Sequence, residues 1–466
     1  MQQANLYTYY PSIYWNTACL SIDAGANQEE DFQDLIERGY IKPTIRTDKD
    51  EEEELTEDGI KKVETTQIDR GKIAYAIATF QKTTKVEPPE INESGFGFMP
   101  DKKHNTITCG LKIISKIGDQ LIYNIIFNRP YVSFDDFIER VSISKDRVVN
   151  LIKADVFRHV DSRNREQLLR DFIMEKADLK KRLTLQNLNM LIEKGLIPNQ
   201  FASEIKVFNW IKYIRKMKHD SYYKLDERAL KFYENNLDVS KLTYLNISGE
   251  YTTLVSKSYA DAFYEREMDK IRAYIKTNHD ELLAALNNKL FQEEWEKYAM
   301  ETLPQGEMQS MRMYVGRHEL EDLELDINIS PFDEIIEEET DGNFYIEGKF
   351  FPRFVIHHII GTVVDKNKLK SKITVLTPQG PAEIKVWKNQ FAHYDQTLVD
   401  PNAKEKTIIQ DSFFEIGTHL VLTGVKRGSY FMLKKYKNTK VDDVIMRINL
   451  KDGSLETKLK QEDIHS

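Results

Sequence analysis

Apolar positions along this chain repeat at a helical period up to about residue 300 and at a strand period from residue 351 onward. Near the start, Tyr14, Ala18 and Cys19 lie at i, i+4 and i+5, and Phe32, Leu35 and Ile36 repeat that spacing, so residues 1–40 are predicted to be helical. Residues 71–80 form a second apolar helix, broken afterwards by Pro88-Pro89 and the glycine-rich stretch 95–100. From 107 to 300 the pattern is almost entirely helical. Ser144 is placed as the N-cap of a helix whose apolar face is Val148, Leu151 and Ile152. Residues 178–194 give a further helix with Leu185, Leu188 and Leu191 at helical intervals. In 205–218, Val207, Trp210, Ile211 and Ile214 make one face, with Lys206, Lys212, Arg215, Lys216 and Lys218 elsewhere.

The period then changes. Residues 355–364, 372–376 and 383–387 read as strands, 388–396 as a helix, and 418–425 and 430–436 as two more strands joined by the turn Lys426-Arg427-Gly428-Ser429. Three strands, a helix and two strands is the order of an OB-fold barrel. Between the two regimes, residues 301–345 carry an acidic linker, and the last thirty residues read as a polar edge extension or tail. The expected architecture is multi-domain: a mainly α part followed by an all-β OB-fold barrel. Boundaries are expected near 1–100, 101–220, 221–345, 346–440 and 441–466.

Charge alters this picture in one place. The 466 residues carry a net charge of −9, yet residues 101–220 hold 23 Lys and Arg against 15 Asp and Glu, an excess of +8 that leaves −17 for the rest. Such segregation suits a local phosphate-binding surface, and equally a set of solvated helix faces. The acidic run 48–58 reads as a solvated loop. Two cysteines make neither a disulfide framework nor a zinc site and fit a reducing compartment. No charged-then-apolar leader and no run of 18 apolar residues is visible, so neither a signal peptide nor a membrane span is expected.

Several ordered blocks carry more information than any of these. They are Pro88-Pro89-Glu90-Ile91-Asn92-Glu93-Ser94, Ile107-Thr108-Cys109-Gly110-Leu111-Lys112, Ser115-Lys116-Ile117-Gly118, Ser133-Phe134-Asp135-Asp136-Phe137 and Leu151-Ile152-Lys153-Ala154-Asp155-Val156-Phe157, with Asn164-Arg165 following in register. Together they resemble the end of the fingers and the DNA-binding helical region behind them in the bacterial replicative DNA polymerase III alpha subunit. The opening Tyr9-Tyr10-Pro11-Ser12-Ile13-Tyr14-Trp15 resembles an earlier fingers segment of that family. Residues 307–320 are similar to a family segment that precedes a C-terminal OB domain, with Glu319 where the family has proline.

The resemblance implies DNA contact at two hairpins. Around 113–129 two apolar helices would flank a turn in which a glycine allows positive φ and close backbone approach, the helix-hairpin-helix arrangement that holds a phosphate at a helix N-terminus without reading sequence. Lys116, Ile117, Gly118, Asp119 and Arg129 are its candidate residues, and Lys116 stands where the family usually has glycine. Lys153, Ala154 and Asp155 form the second hairpin, Asp155 again replacing glycine. Lys145, Arg147, Arg163 and Arg165 are nearby candidate cations, with helix capping the other reading of the last two.

On the barrel, Lys385, Trp387, Lys426, Tyr430 and Lys434 offer cations and rings to a single strand, while alternation makes Trp387 and Phe431 equally suited to a core. Gln410, Phe413 and Phe414 sit in a stretch resembling a sliding-clamp motif, although packing into the barrel explains them more simply. The alternate acids Asp322, Glu324 and Asp326 lie in a linker, no phosphate-binding loop is present, and no catalytic residue, metal site or cofactor is assigned. The expectation is the C-terminal component of a split polymerase. It would bind primer–template duplex and single-stranded template, with the palm and its magnesium on another chain, and would work in a bacterial or phage-infected cytoplasm. The alternative is a stand-alone DNA-binding replication accessory protein.

Overall fold

A computed structural model describes residues 11–24, 70–101, 103–247, 250–300, 302–400, 407–437, 439 and 441–460. It divides into two compact units, one of residues 171–299 and one of the remainder. Of the helix expected within 1–40, Pro11–Asp23 is observed; Phe32, Leu35, Ile36 and the acidic run 48–58 lie outside the described residues. Trp15 and Ile22 on that helix are exposed, and Ile13 and Leu20 are buried.

In the larger unit, the helix Arg70–Phe80 buries Ile73, Ala74 and Ile77 and lies against the β-rich part. Its Gly71 is there because a Cβ would stand 2.5 Å from the Asp365 Cβ. A small sheet of Lys85–Glu87, Met99–Asp101 and Thr106–Thr108 follows, then the helices Asp119–Phe127, Phe134–Arg140 and Lys145–Lys153, the helix Arg165–Lys176 along which the chain passes into the second unit, and, after that unit, Leu303–Met311.

The barrel strands are β1 (His357–Asn367), β2 (Lys372–Thr377), β3 (Gly380–Lys385), β4 (His419–Arg427) and β5 (Tyr430–Leu433), with a helix Lys388–Asp395 between β3 and β4. Pairing runs β1–β2–β3–β5–β4 and back to β1; β3 and β5 are parallel and every other pair is antiparallel. The expected order of elements is therefore observed as a closed OB-like barrel. Strand alternation explains its interior: Ile373 and Val375, Leu420 and Leu422, Phe431 and Leu433 all point inward. Val421 points outward and is covered with Met446 and Ile448, because the strands Ile445–Ile448 and Leu455–Thr457 continue the sheet from β4. The polar C-terminal stretch is thus an edge extension through Thr457.

In the smaller unit, the helix Ala202–Ile214 buries Val207, Phe208, Trp210, Ile211 and Ile214. That face packs with the long helix Lys257–Thr277, and His279–Tyr298 follows.

Three expectations need correction. Within the supposedly helical 107–300, Lys218–His219, Tyr222–Leu225, Leu242–Ile247 and Glu250–Ser256 form a four-stranded sheet. Tyr223, Leu225 and Val255 share one buried face at period two, a pattern too short to register beside the long helices. Within 178–194 the α-helix is only Leu188–Glu193, since a capping box between Thr184 and Asn187 starts helical structure late. A hairpin, Thr340–Ile346 with Lys349–Phe354, also spans the end of the acidic linker and the start of the expected barrel region. Among the described residues no helix is long and apolar enough to cross a membrane.

Candidate nucleic-acid interface

The first hairpin opens on a single 3-10 turn, Leu111–Ile113, where a full helix was expected. Its first backbone donors are already committed: Leu111 N–H donates to Gly95 O at 3.0 Å and Lys112 N–H to Phe96 O at 3.1 Å. Gly110 is fixed by the same approach, since a Cβ would lie 2.3 Å from Gly97 O. Ser115 N–H then donates to Ser310 O at 2.7 Å, and Lys116 takes the left-handed conformation at φ +65°. Gly118 is extended (φ −80°, ψ 162°) and N-caps the helix Asp119–Phe127. The positive φ expected of the glycine therefore belongs to the lysine. Nothing lies within 4 Å of where a Gly118 Cβ would stand, so the protein's own packing does not require glycine there. Lys116 is exposed, its ammonium 3.6 Å from Asp146 Oδ2. Asp119 is engaged by Lys112, which is buried beneath the Phe96 ring. Ile117, Leu121, Ile122 and Ile125 anchor the hairpin from below.

The second hairpin has a different fate. The helix Lys145–Lys153 ends in a Schellman motif: Val156 N–H donates to Leu151 O at 3.3 Å, Asp155 N–H to Ile152 O at 3.0 Å, and Asp155 is left-handed at φ +62°. Asn164 then caps the helix Arg165–Lys176 by accepting from Gln167 N–H at 2.8 Å. Arg165 turns inward, donating to Lys153 O at 3.1 Å and lying 3.3 Å from Asp155 Oδ2 and 3.6 Å from Glu307 Oε1. Lys153 is buried and donates to Gln309 Oε1 at 2.5 Å. Burial, with Lys116 nearby, pulls its pKa down to about 8. Ala154, Val156 and Phe157 are buried as well. Asn150 Nδ2 donates to Ser115 O at 2.8 Å, tying this helix to the first hairpin.

Of the remaining candidates, Arg129 donates to Ser94 O at 2.6 Å, and burial lowers its pKa. Arg163 makes two bonds to Asp161, at 2.9 and 2.8 Å. Lys145 and Arg147 are half-buried on the first turn of their helix. The structure thus brings Lys116, Gly118 and that first turn to the surface and turns Lys153, Ala154 and Arg165 away from it.

What sequence reasoning missed is the helix Leu303–Met311, which supplies Glu307, Gln309 and the Ser310 carbonyl to the two hairpins. A Cβ on its Gly306 would meet Met300 Sδ at 2.6 Å. Arg70 also donates to Ile113 O and, at 3.5 Å, to Met311 O; burial lowers its pKa to about 10. A lone arginine opening an apolar helix was the available signal. Glu319, the residue in place of proline, joins linker to barrel. It accepts from Thr302 Oγ1 at 2.7 Å and Tyr314 OH at 2.9 Å, and lies 3.3 Å from His419 Nε2.

On the barrel, Trp387 is 67% exposed and Phe431 is wholly buried. Lys385 Nζ stands 4.2 Å from the Tyr430 ring centre on the outer face of β3 and β5. Lys426 donates to Phe332 O at 3.0 Å, and Lys434 Nζ lies 4.5 Å from the centre of Phe354. Gln410, Phe413 and Phe414 are buried, with Gln410 Nε2 donating to Thr457 O at 3.0 Å and its Oε1 accepting from Leu459 N–H at 3.0 Å. Packing claims all three, and none is presented as a clamp motif would have to be. Among the described residues no three acidic, histidine or cysteine side chains converge as a metal site, Asp322, Glu324 and Asp326 included.

Residues 83–168, which contain both hairpins, match the helix-hairpin-helix motif family. The chain is 33% identical over 481 aligned positions to the probable DNA polymerase YorL of Bacillus subtilis (strain 168) and, to the same degree, to the DNA-directed DNA polymerase of Bacillus phage SPbeta. This chain is related to DNA polymerases. The relationship covers 100% of the chain but only 34% of each relative, so this polymerase-related chain spans about a third of their length. The kinship read from residues 88–165 is borne out, as is the helix-hairpin-helix assignment. Of the two hairpins, the first is the one that keeps its lysine and glycine exposed.

Proposed function

We propose that this chain is the DNA-holding component of a replicative polymerase of the polymerase III alpha type, with the palm and its metal-binding carboxylates on a separate chain. The first hairpin grips the primer–template duplex, and the outer face of the barrel holds single-stranded template. Magnesium would be bound on the palm chain, where two ions stabilise the attacking and leaving oxygens. The supporting observation is an exposed hairpin, Lys116 beside an open Gly118 at a helix N-terminus, inside a chain that aligns end to end with a third of two DNA polymerases. Unpaired N–H groups and the helix dipole make such a terminus attractive to phosphate, and Lys116 adds a full charge. Replication in a bacterial or phage-infected cytoplasm is the setting this implies.

Reconstitution tests it. The purified chain with primed template, nucleotides and magnesium is expected to incorporate nothing, and adding the palm-bearing chain is expected to give extension dependent on both. Robust extension by this chain alone would overturn the split arrangement. Duplex binding without any association with a palm chain would instead support a stand-alone accessory protein.

A further inference from the structure

The hairpin Thr340–Ile346/Lys349–Phe354 presents rings that the barrel reading leaves unused. Its register pairs Tyr345 with Phe350 and Phe344 with Phe351 across the strands. On one face the Tyr345 and Phe350 ring centres are 5.0 Å apart, and these residues are 63% and 75% exposed. By alternation Asn343 and Pro352 share that face, so the positions next to the two rings are uncharged. On the other face Phe344 stacks on Phe351 with centres 5.9 Å apart and meets Tyr436 edge-on at 6.3 Å.

A two-stranded hairpin is marginal by itself and needs a root. Here Phe354 N–H donates to Tyr436 OH at 3.0 Å and Val355 N–H to Glu339 O at 2.8 Å. The root adjoins the β4–β5 loop: Glu338 N–H donates to Lys426 O at 3.0 Å, and Gly428 N–H to Glu337 Oε1 at 2.6 Å. That loop is one of the two with which OB barrels engage oligonucleotides. Arg427 lies 6.0 Å and Lys434 4.5 Å from the Phe354 ring centre, so cations adjoin the root of the hairpin.

We infer that this hairpin is a stacking site for unpaired nucleotides, extending the barrel's single-strand path beyond the β4–β5 loop. The inference rests on the single-strand role proposed above. Ring faces accept any base, and the root carboxylates Glu337 and Glu338 are already engaged by the Gly428 N–H and the Arg427 side chain. The Lys434 ammonium beside the Phe354 ring favours a nucleic-acid strand over an apolar protein surface.

The test compares the full chain with its Tyr345→Ala/Phe350→Ala variant, using a fluorescent oligothymidylate of about 20 nucleotides over a range of salt concentrations. Stacking predicts that affinity falls at least about fivefold for each ring removed. The slope of log affinity against log salt should not change, because neither ring binds a phosphate. Both rings are exposed, so the thermal midpoint should hold. The single variant Tyr345→Trp should bind the oligonucleotide with quenching of the introduced indole. Unaltered affinity in the folded double variant overturns the inference while leaving the barrel reading intact. An indole fluorescence in the Tyr345→Trp variant that answers only to the palm-bearing chain overturns it in favour of a protein contact. A wild-type chain that binds no single strand removes the single-strand role and this inference together.

Discussion

Two residues with the same unusual backbone are put to opposite uses. Lys116 and Asp155 both adopt left-handed φ at hairpin turns. For a side chain other than glycine this costs on the order of 1 kcal/mol, less for aspartate, which tolerates the region well. Lys116 projects outward, whereas Asp155 faces Arg165 in a partly buried ion-paired group. Lys153 beside it is buried with one neutral acceptor, Gln309, which explains the fall of its pKa to about 8. The unfolded chain holds that proton up to the ordinary lysine value of about 10.4, while the native state releases it near 8. Between these values the unfolded state binds more protons, so Lys153 makes stability rise as pH increases from about 8 to about 10.4. Below that window its buried charge is a net cost. Lys153→Met is therefore expected to raise the thermal midpoint at pH 7 and to flatten this rise relative to wild type. Unfolding curves of the two proteins at matched pH measure both effects. An unchanged midpoint and an unchanged pH profile would show that Lys153 is not buried in solution.

At the scale of elements, the helix Leu303–Met311 decides how the hairpins work. Its Ser310 carbonyl holds the first hairpin from behind and leaves Lys116 outward, while Glu307 and Gln309 draw Arg165 and Lys153 inward. Duplex binding should accordingly depend on the first hairpin and on the start of the helix Lys145–Lys153. Removing one phosphate-binding cation lowers the log–log salt slope on B-DNA by about 0.9. Lys116→Ala with Lys145→Ala is expected to weaken binding to all duplex sequences alike and to reduce the slope by up to about 2. Lys153→Met should leave that slope unchanged at pH 7. Fluorescence anisotropy with two unrelated duplexes decides the matter, and an unaltered slope in the double variant would make the first hairpin scaffold only.

For the whole molecule, the consequential fact is the division into two units. Hairpins, linker and barrel belong to one compact body, and residues 171–299 form another with its own core around Trp210, Met268 and Ile271. Within the larger body, Arg165 donates to Leu303 O at 3.3 Å, which holds the two chain segments flanking the insertion together. Replacing residues 178–299 by about fifteen Gly and Ser residues, a flexible span of roughly 20 Å, is expected to leave a folded protein. It should keep the wild-type salt slope on duplex DNA. Circular dichroism and limited proteolysis report the fold and the titration reports the function. A variant that collapses would show that the second unit supports the first.

The sequence by itself determined the barrel. A closed sheet has one face inward and one outward, so period two is written into residues 355–436, and the turn at 426–429 and the helix at 388–396 punctuate it within a few residues. It likewise determined the buried face of Ala202–Ile214 and the position of both hairpins, because helical periodicity and turn chemistry are local. Only the tertiary structure decided which hairpin is open. Lys116 and Lys153 carry the same charge at similar turns, and their exposures differ because a helix some 150 residues further along the chain packs over one of them. Nor does alternation distinguish Trp387, exposed at the start of a helix, from Phe431, buried in the barrel. The short sheet of 218–256 and the aromatic hairpin of 340–354 were hidden for a related reason. Strands of two to seven residues acquire their identity from the partners they pair with, and those partners are not neighbours in the pattern.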